Sequence, residues 1–174
     1  LRPSDQLVIL SDLHVGMKGK NEERVVMGFD QNMGDLYPFT LNDKLKTITE
    51  LSPWYTKDEG ANSPWNRAII PLEMINVLAE YTSKMSAFPV KGPAVGLFAD
   101  LEIKLIKGPL FVNQPYRLER EVVALSESRR VESNWVMTSV YSEESNELVA
   151  QILLNSATLK DSYAKYAEDA ATLG

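Results

Sequence analysis

The alternation of apolar and polar positions is strongest in the second half of the chain. From 97 to 106, Leu97, Ala99, Leu101, Ile103 and Leu105 alternate with Asp100, Glu102 and Lys104. A period of two marks a strand with one face turned to a core. Gly108-Pro109 breaks the pattern, and further strands are predicted over 116–128, 131–142 and 147–159. Glu143-Glu144-Ser145-Asn146 has the composition of a hairpin turn between the last two. Strands this long suit a strongly curved antiparallel sheet.

Upstream the period becomes helical. Over 69–85, Ile70, Met74, Val77, Leu78, Tyr81 and Met85 recur at helical spacing, and Leu72, Ile75 and Ala79 make most other sides apolar. This predicts a buried central helix with Pro71 in its first turn. Pro89, Gly92 and Pro93 lie beyond its end. Asn42 is placed to cap a short helix over 43–51, with Leu45, Ile48 and Leu51 on one face. The N-terminal third reads as strands over 6–15 and 23–30 and a loop over 31–41. A second loop, 52–68, is rich in Pro, Trp, Asn, Asp and Gly, and 160–172 reads as a polar, alanine-rich helix. No repeat or low-complexity segment interrupts the chain. The expectation is one α+β domain over 1–174: N-terminal strands and loop (1–41), a core (42–159) and a helical tail (160–174). One apolar helix and one curved sheet bury each other when the sheet wraps the helix.

Composition narrows the chemistry. The 174 residues carry 24 acidic and 18 basic side chains, a net charge of −6. A nucleic acid or an anionic membrane as partner needs a basic face to displace counterions, so neither is expected. No apolar run approaches the ~20 residues of a membrane span. Cysteine is absent and histidine occurs once, at His14. Thiolate chemistry and any mechanism needing two histidines are excluded, and no metal or cofactor is expected. Leu1 rather than Met at the start is read as processing or trimming, and nothing there has the pattern of a signal peptide. A reducing, cytoplasmic setting is the expectation.

The order of strands, short helix, loop, buried helix and four long strands resembles the hotdog fold. Within it, the pattern is similar to the MaoC-like dehydratase and hydratase family, over roughly residues 40–159. That resemblance implies a curved antiparallel sheet wrapped around the helix at about 69–85. Enoyl-CoA hydratases of that family carry Asp-x-Asn-Pro-x-His before the central helix, where the Asp and His activate a water. The matching hexapeptide here is Glu50-Leu51-Ser52-Pro53-Trp54-Tyr55, and Asn66-Arg67-Ala68-Ile69-Ile70-Pro71 resembles the family's lead into the helix. Pro53 matches; the two chemical positions hold Glu50 and Tyr55 instead of Asp and His. A tyrosine titrates near pH 10 and is a poor base at neutral pH, though it can donate a hydrogen bond. Non-catalytic halves of double-hotdog proteins also have such loops.

Five residues are candidates for catalysis. Asp12 and His14 lie two apart on a predicted strand and would share a face, the carboxylate orienting the imidazole. Val8 to Gly16 also resembles the first metal motif of metallophosphoesterases, with Gly34-Asp35 as a second, but such a site needs several more histidines. Glu50 and Tyr55 hold the hydratase positions. Glu73, in the first turn of the central helix, resembles the helix carboxylate of hotdog thioesterases, or else simply complements the helix terminus. Substrate-binding candidates are Trp54, Trp65, Arg67 and Asn76, with Asn76 and Glu80 giving the helix a polar side. Ser133, Asn134, Asn155 and Ser156 interrupt apolar strands and point to a pocket or a subunit seam.

The first expected function is acid–base chemistry of the dehydratase, hydratase or isomerase kind on an acyl thioester or polyketide-like enone. The alternatives are a hotdog acyl thioesterase and a non-catalytic ligand-binding or partner subunit. A small-molecule or acyl-thioester substrate and a homodimer with a continuous sheet are the expected partners.

Overall fold

The computed structural model describes residues 9–83 and 88–172. Five strands form one antiparallel sheet: β1 (Glu23–Val25), β2 (Gly96–Leu105), β3 (Tyr116–Glu127), β4 (Val131–Ser142) and β5 (Leu148–Leu159). Their order across the sheet is β1-β3-β4-β5-β2. The four long strands start and end within a residue of the sequence expectation. The expected hairpin turn closes there too, with Asn146 in the left-handed region (φ 54°) and its N–H donating to the Ser142 carbonyl at 2.8 Å.

The central helix, α2 (Leu72–Glu80), is shorter than the apolar pattern. Residues before a proline are pushed out of the helical region. Ile70 precedes Pro71, and the chain there stays extended: the Ile70 N–H donates to the Leu110 carbonyl at 2.7 Å, and Ile69 bridges Phe111. Helical geometry therefore begins only after Pro71. From Met74 to Glu80 every residue is buried. Met74, Ile75 and Leu78 pack with Leu110, Tyr116, Leu118, Val140 and Ile152 of the sheet region and with Met27, Met33 and Leu41 from the N-terminal third. Each such side chain contributes roughly 1.5–3 kcal/mol by leaving water.

The N-terminal third departs furthest from expectation. The second expected strand reduces to β1, and 9–15 is irregular, with Ser11 bridged to Val90. The short helix, α1 (Leu41–Leu45), begins after Thr40 rather than Asn42, because Thr40 and Asp43 form a capping box. The tail forms a 3₁₀ turn at Lys160–Ser162 and α3 (Tyr166–Ala171). Residues 6–8 of the first expected strand and Met85 of the expected helix lie outside the described residues.

Two bulges set which side chains face the helix. In β2, Phe98 pairs with Ser156 and Asp100 with Asn155, so Ala99 is an extra residue. A one-residue insertion exchanges faces. Phe98 therefore joins Leu101, Ile103 and Leu105 on the concave face, and Leu97 turns to the other, unlike the unbroken alternation expected from the sequence. In β3 the extra residue is Val123, which leaves Arg120, Val122 and Leu125 on the concave face.

Arg120 fastens the layers together. It is 2% exposed on the concave face of the sheet. Its guanidinium donates to the Glu23 carboxylate on β1, to the Ala79 carbonyl in the last turn of α2, and to Thr82 Oγ1 at 3.1 Å. A cation suits the carbonyl end of a helix. Burial lowers its pKa to about 10, so it keeps its charge at neutral pH. Removing either partner leaves the other charge buried. Arg120→Met and Glu23→Gln are each expected to cost about 3–5 kcal/mol in urea denaturation. The double variant should cost less than the two together, a coupling a double-mutant cycle measures.

Candidate active site

The segment that should hold a hydratase dyad folds into two short turns. Ser52 caps a 3₁₀ turn at Pro53–Tyr55, and a second follows at Gly60–Asn62. Gly60 touches the backbone leading into α2: a Cβ added there would stand 2.4 Å from the Ala68 Cβ, so only glycine fits. The Ile69 N–H donates to the Trp54 carbonyl at 3.0 Å and the Ser63 hydroxyl donates to the Arg67 carbonyl at 2.6 Å, closing the loop. On its outer side Trp54 and Trp65 meet edge to face at 5.9 Å, Trp65 meets Phe111 at 6.2 Å, and the Arg67 guanidinium stands 5.3 Å from the Phe111 ring. Arg67 also donates to Gln114 Oε1 at 2.8 Å and pairs with Glu144 at 3.8 Å. Glu50 is exposed and Tyr55 half-buried.

The remaining candidates lie apart from this loop. Asp12 and His14 are exposed on the irregular N-terminal segment, while Leu13 between them is buried. Glu73 is exposed and pairs with Lys44 at 3.3 Å. Asn76 is buried on α2, one helical turn before Glu80 and on the same face.

A concavity of about 450 Å³ lies elsewhere, between the C-terminal end of α2 and the concave face of the sheet. Leu13, Leu36, Phe88, Val90, Phe98 and Leu154 make it mainly apolar. Its polar lining comprises Glu80, Ser83, Lys91, Arg120, Asn134, Ser156 and Thr158. None of the nine sequence candidates lines it. Asn134 and Ser156 do, as an inward-facing pair across β4 and β5. Ser133 and Asn155, taken with them in the sequence, face the convex side, where Asn155 donates to Asp100 at 3.1 Å.

Glu80 is the unusual group in this cavity. Its residue is 8% exposed, and burial pushes its carboxyl up to about 7, against a smaller pull from the Ser83 hydroxyl. Tyr37, nearby, is raised to about 12 by its own burial and then by the Glu80 charge, with the Asn76 amide partly offsetting the shift. Lys91 at the mouth pairs with Asp169 at 3.0 Å. The segment 91–95 is tied to the tail again where the Val95 N–H donates to Ser162 Oγ at 2.7 Å.

No family model matches the sequence, and no curated protein sequence does. Solved structures do match. The HadBC complex, a 3R-hydroxyacyl-ACP dehydratase from Mycobacterium tuberculosis, superposes with a TM-score of 0.60 at 13% identity, over 82% of this chain and 96% of that one. The chain has a hotdog fold. The MaoC-like dehydratase from Rhodospirillum rubrum gives 0.59 at 12% identity, over 85% of this chain and 94% of that one. The A. caviae (R)-hydratase involved in PHA biosynthesis gives 0.57 at 17%, over 83% and 96%. No helix among the described residues is long and apolar enough to cross a membrane, and no group of acidic or histidine side chains among them could hold a metal ion.

The raised Glu80 carboxyl makes stability depend on pH with a defined sign. The folded chain keeps this proton between about pH 4.5 and about 7, where the unfolded chain has released it. The stabilisation is full below the unfolded value and is lost as pH rises through the folded one. Glu80→Gln removes that dependence. Relative to the native chain, the variant should therefore gain up to about 3 kcal/mol between about pH 4.5 and pH 8, measured by urea denaturation at both.

Proposed function

We propose that the chain binds an acyl thioester on the concave face of its sheet and performs acid–base chemistry of the dehydratase, hydratase or isomerase kind. The observation that carries this reading is the apolar cavity of about 450 Å³, closed by α2 and holding a buried carboxyl that titrates near 7. Ligand sites of this size, mainly apolar with a few convergent polar groups, suit a chain-like substrate with one reacting end. A group poised near neutral pH can both take and return a proton. The dehydratases and the hydratase that share the fold support the choice of chemistry by analogy. Glu73, the thioesterase candidate, is exposed and paired with Lys44, which disfavours hydrolysis from that position. A cytoplasmic setting belongs to the same proposal.

A second reading rests on the open sheet edge. β1 and the segment 16–19 cover β3, with the Gly16 and Gly19 N–H groups donating to Val122 and Arg120 at 2.7 Å each, but among the described residues β2 pairs on one side only. Its Leu97, Phe98, Leu101 and Leu105 are exposed apolar side chains. An unpaired apolar edge is a template for another strand. A homodimer joined at β2 would cover it; so would a different hotdog chain, and HadBC is a complex. In that second case this chain is the partner subunit of a catalytic one, consistent with Glu50 and Tyr55 in the dyad positions.

Incubation with a panel of enoyl-, 3-hydroxyacyl- and saturated acyl-CoAs separates these. Loss or gain of enone absorbance without free thiol is the expected outcome; thiol release would indicate a thioesterase. Silence on every substrate would leave the partner-subunit reading. Sedimentation is expected to give a dimer, and a stable monomer would rule out the homodimer.

A further inference from the structure

We propose that Glu80 is the catalytic acid and base of this cavity, moving the proton that the family's loop dyad moves elsewhere. The inference deepens the proposed function and rests on it. Glu80 ends α2 at the wall of the cavity, and it is the only carboxylate among the described residues lining that cavity. Its surroundings keep it a lone proton carrier. Arg120 on β3, which also lines the cavity, donates to Glu23, the Ala79 carbonyl and Thr82 among its partners. Lys91 at the mouth is engaged by Asp169. Tyr37, from the loop after β1, stays protonated to about 12. β4 and β5 contribute Asn134, Ser156 and Thr158, which hydrogen-bond without titrating. The dominant cause of its raised pKa is burial, not a neighbouring charge.

The step balances with one carboxylate. Glu80 takes a proton from water as the water oxygen bonds to C3 of a 2-enoyl thioester. The C2=C3 electron pair moves toward the thioester carbonyl, giving an enolate. Glu80 then returns the proton to C2, and the enolate collapses to the 3-hydroxyacyl thioester. Water has been added, nothing is oxidised, and the carboxylate is regenerated. The reverse sequence is dehydration. Because the base form starts hydration, its rate should rise with pH through about 7 and then level off.

The test combines Glu80→Gln and Glu80→Asp with two readouts, enone absorbance and binding of a saturated acyl-CoA. Glu80→Gln is expected to lose roughly a hundredfold or more in kcat/KM while binding the saturated acyl-CoA within about threefold of the native chain, and Glu80→Asp to recover part of the rate. A native chain that turns over while Glu80→Gln stays within about threefold of it overturns the role of Glu80 and leaves the proposed function standing. A native chain that binds acyl-CoA but never turns over overturns both the role and the enzymatic reading. One that binds none overturns the acyl site altogether. If Glu80→Gln fails to fold, the native pH profile decides: a hydration rate flat between about pH 6 and about pH 8 overturns the proposal.

Discussion

The Arg120 guanidinium ties three parts of the chain, β1, β3 and the end of α2, to one buried charge. It joins a three-residue strand at the sheet edge to the carbonyl end of the central helix, from a β3 position facing the core. Burying a charge is unfavourable unless its donors are used. The cost is offset here by the Glu23 carboxylate and by the Ala79 carbonyl in the last turn of the helix. The end of α2 is thus fixed at a set height above the sheet. The cavity is lined at that end of the helix, and Glu80, one residue after the carbonyl that Arg120 grips, stands in its wall.

Much of the fold was legible because it rests on periodicity. The four long strands alternate, the helix is apolar around most of its circumference, and tertiary packing rewards both patterns. The failures have local causes. Pro71 and the bridge from Ile69 to Phe111 outweighed helical spacing at the start of α2. A capping box moved the start of α1 by two residues. Ala99 is an insertion that no alternation rule reveals, since Leu97 and Ala99 fit the period as well as Phe98 does, and only cross-strand pairing shows which residue is extra.

The candidate site was legible only in fragments. The sequence directed attention to the loop before the helix, where Pro53 and the lead into α2 match the hydratase pattern, but that loop presents aromatic rings and Arg67 to the surface. Asp12 and His14 are both exposed, on a segment that forms no strand. Glu80 read as one polar residue on an apolar helix, and its spacing from Asn76 was the available signal. Asn134 and Ser156 were the others, polar residues in apolar strands that the register places opposite each other. What joins these three is a cavity, and a cavity is a property of distant segments packed together, not of any window of sequence.

The attachment of 91–95 to the tail gives the molecule a lever. Lys91 and Val95 flank Gly92 and Ala94 in the cavity lining, yet their partners Asp169 and Ser162 belong to the segment that follows the last strand. The mouth of the cavity is therefore braced from the tail by two polar contacts, beside backbone bonds from the Lys91 N–H to the Leu10 carbonyl and from the Leu159 N–H at the end of β5 to the Val95 carbonyl. Whatever engages that tail therefore bears on the same short segment that lines the opening.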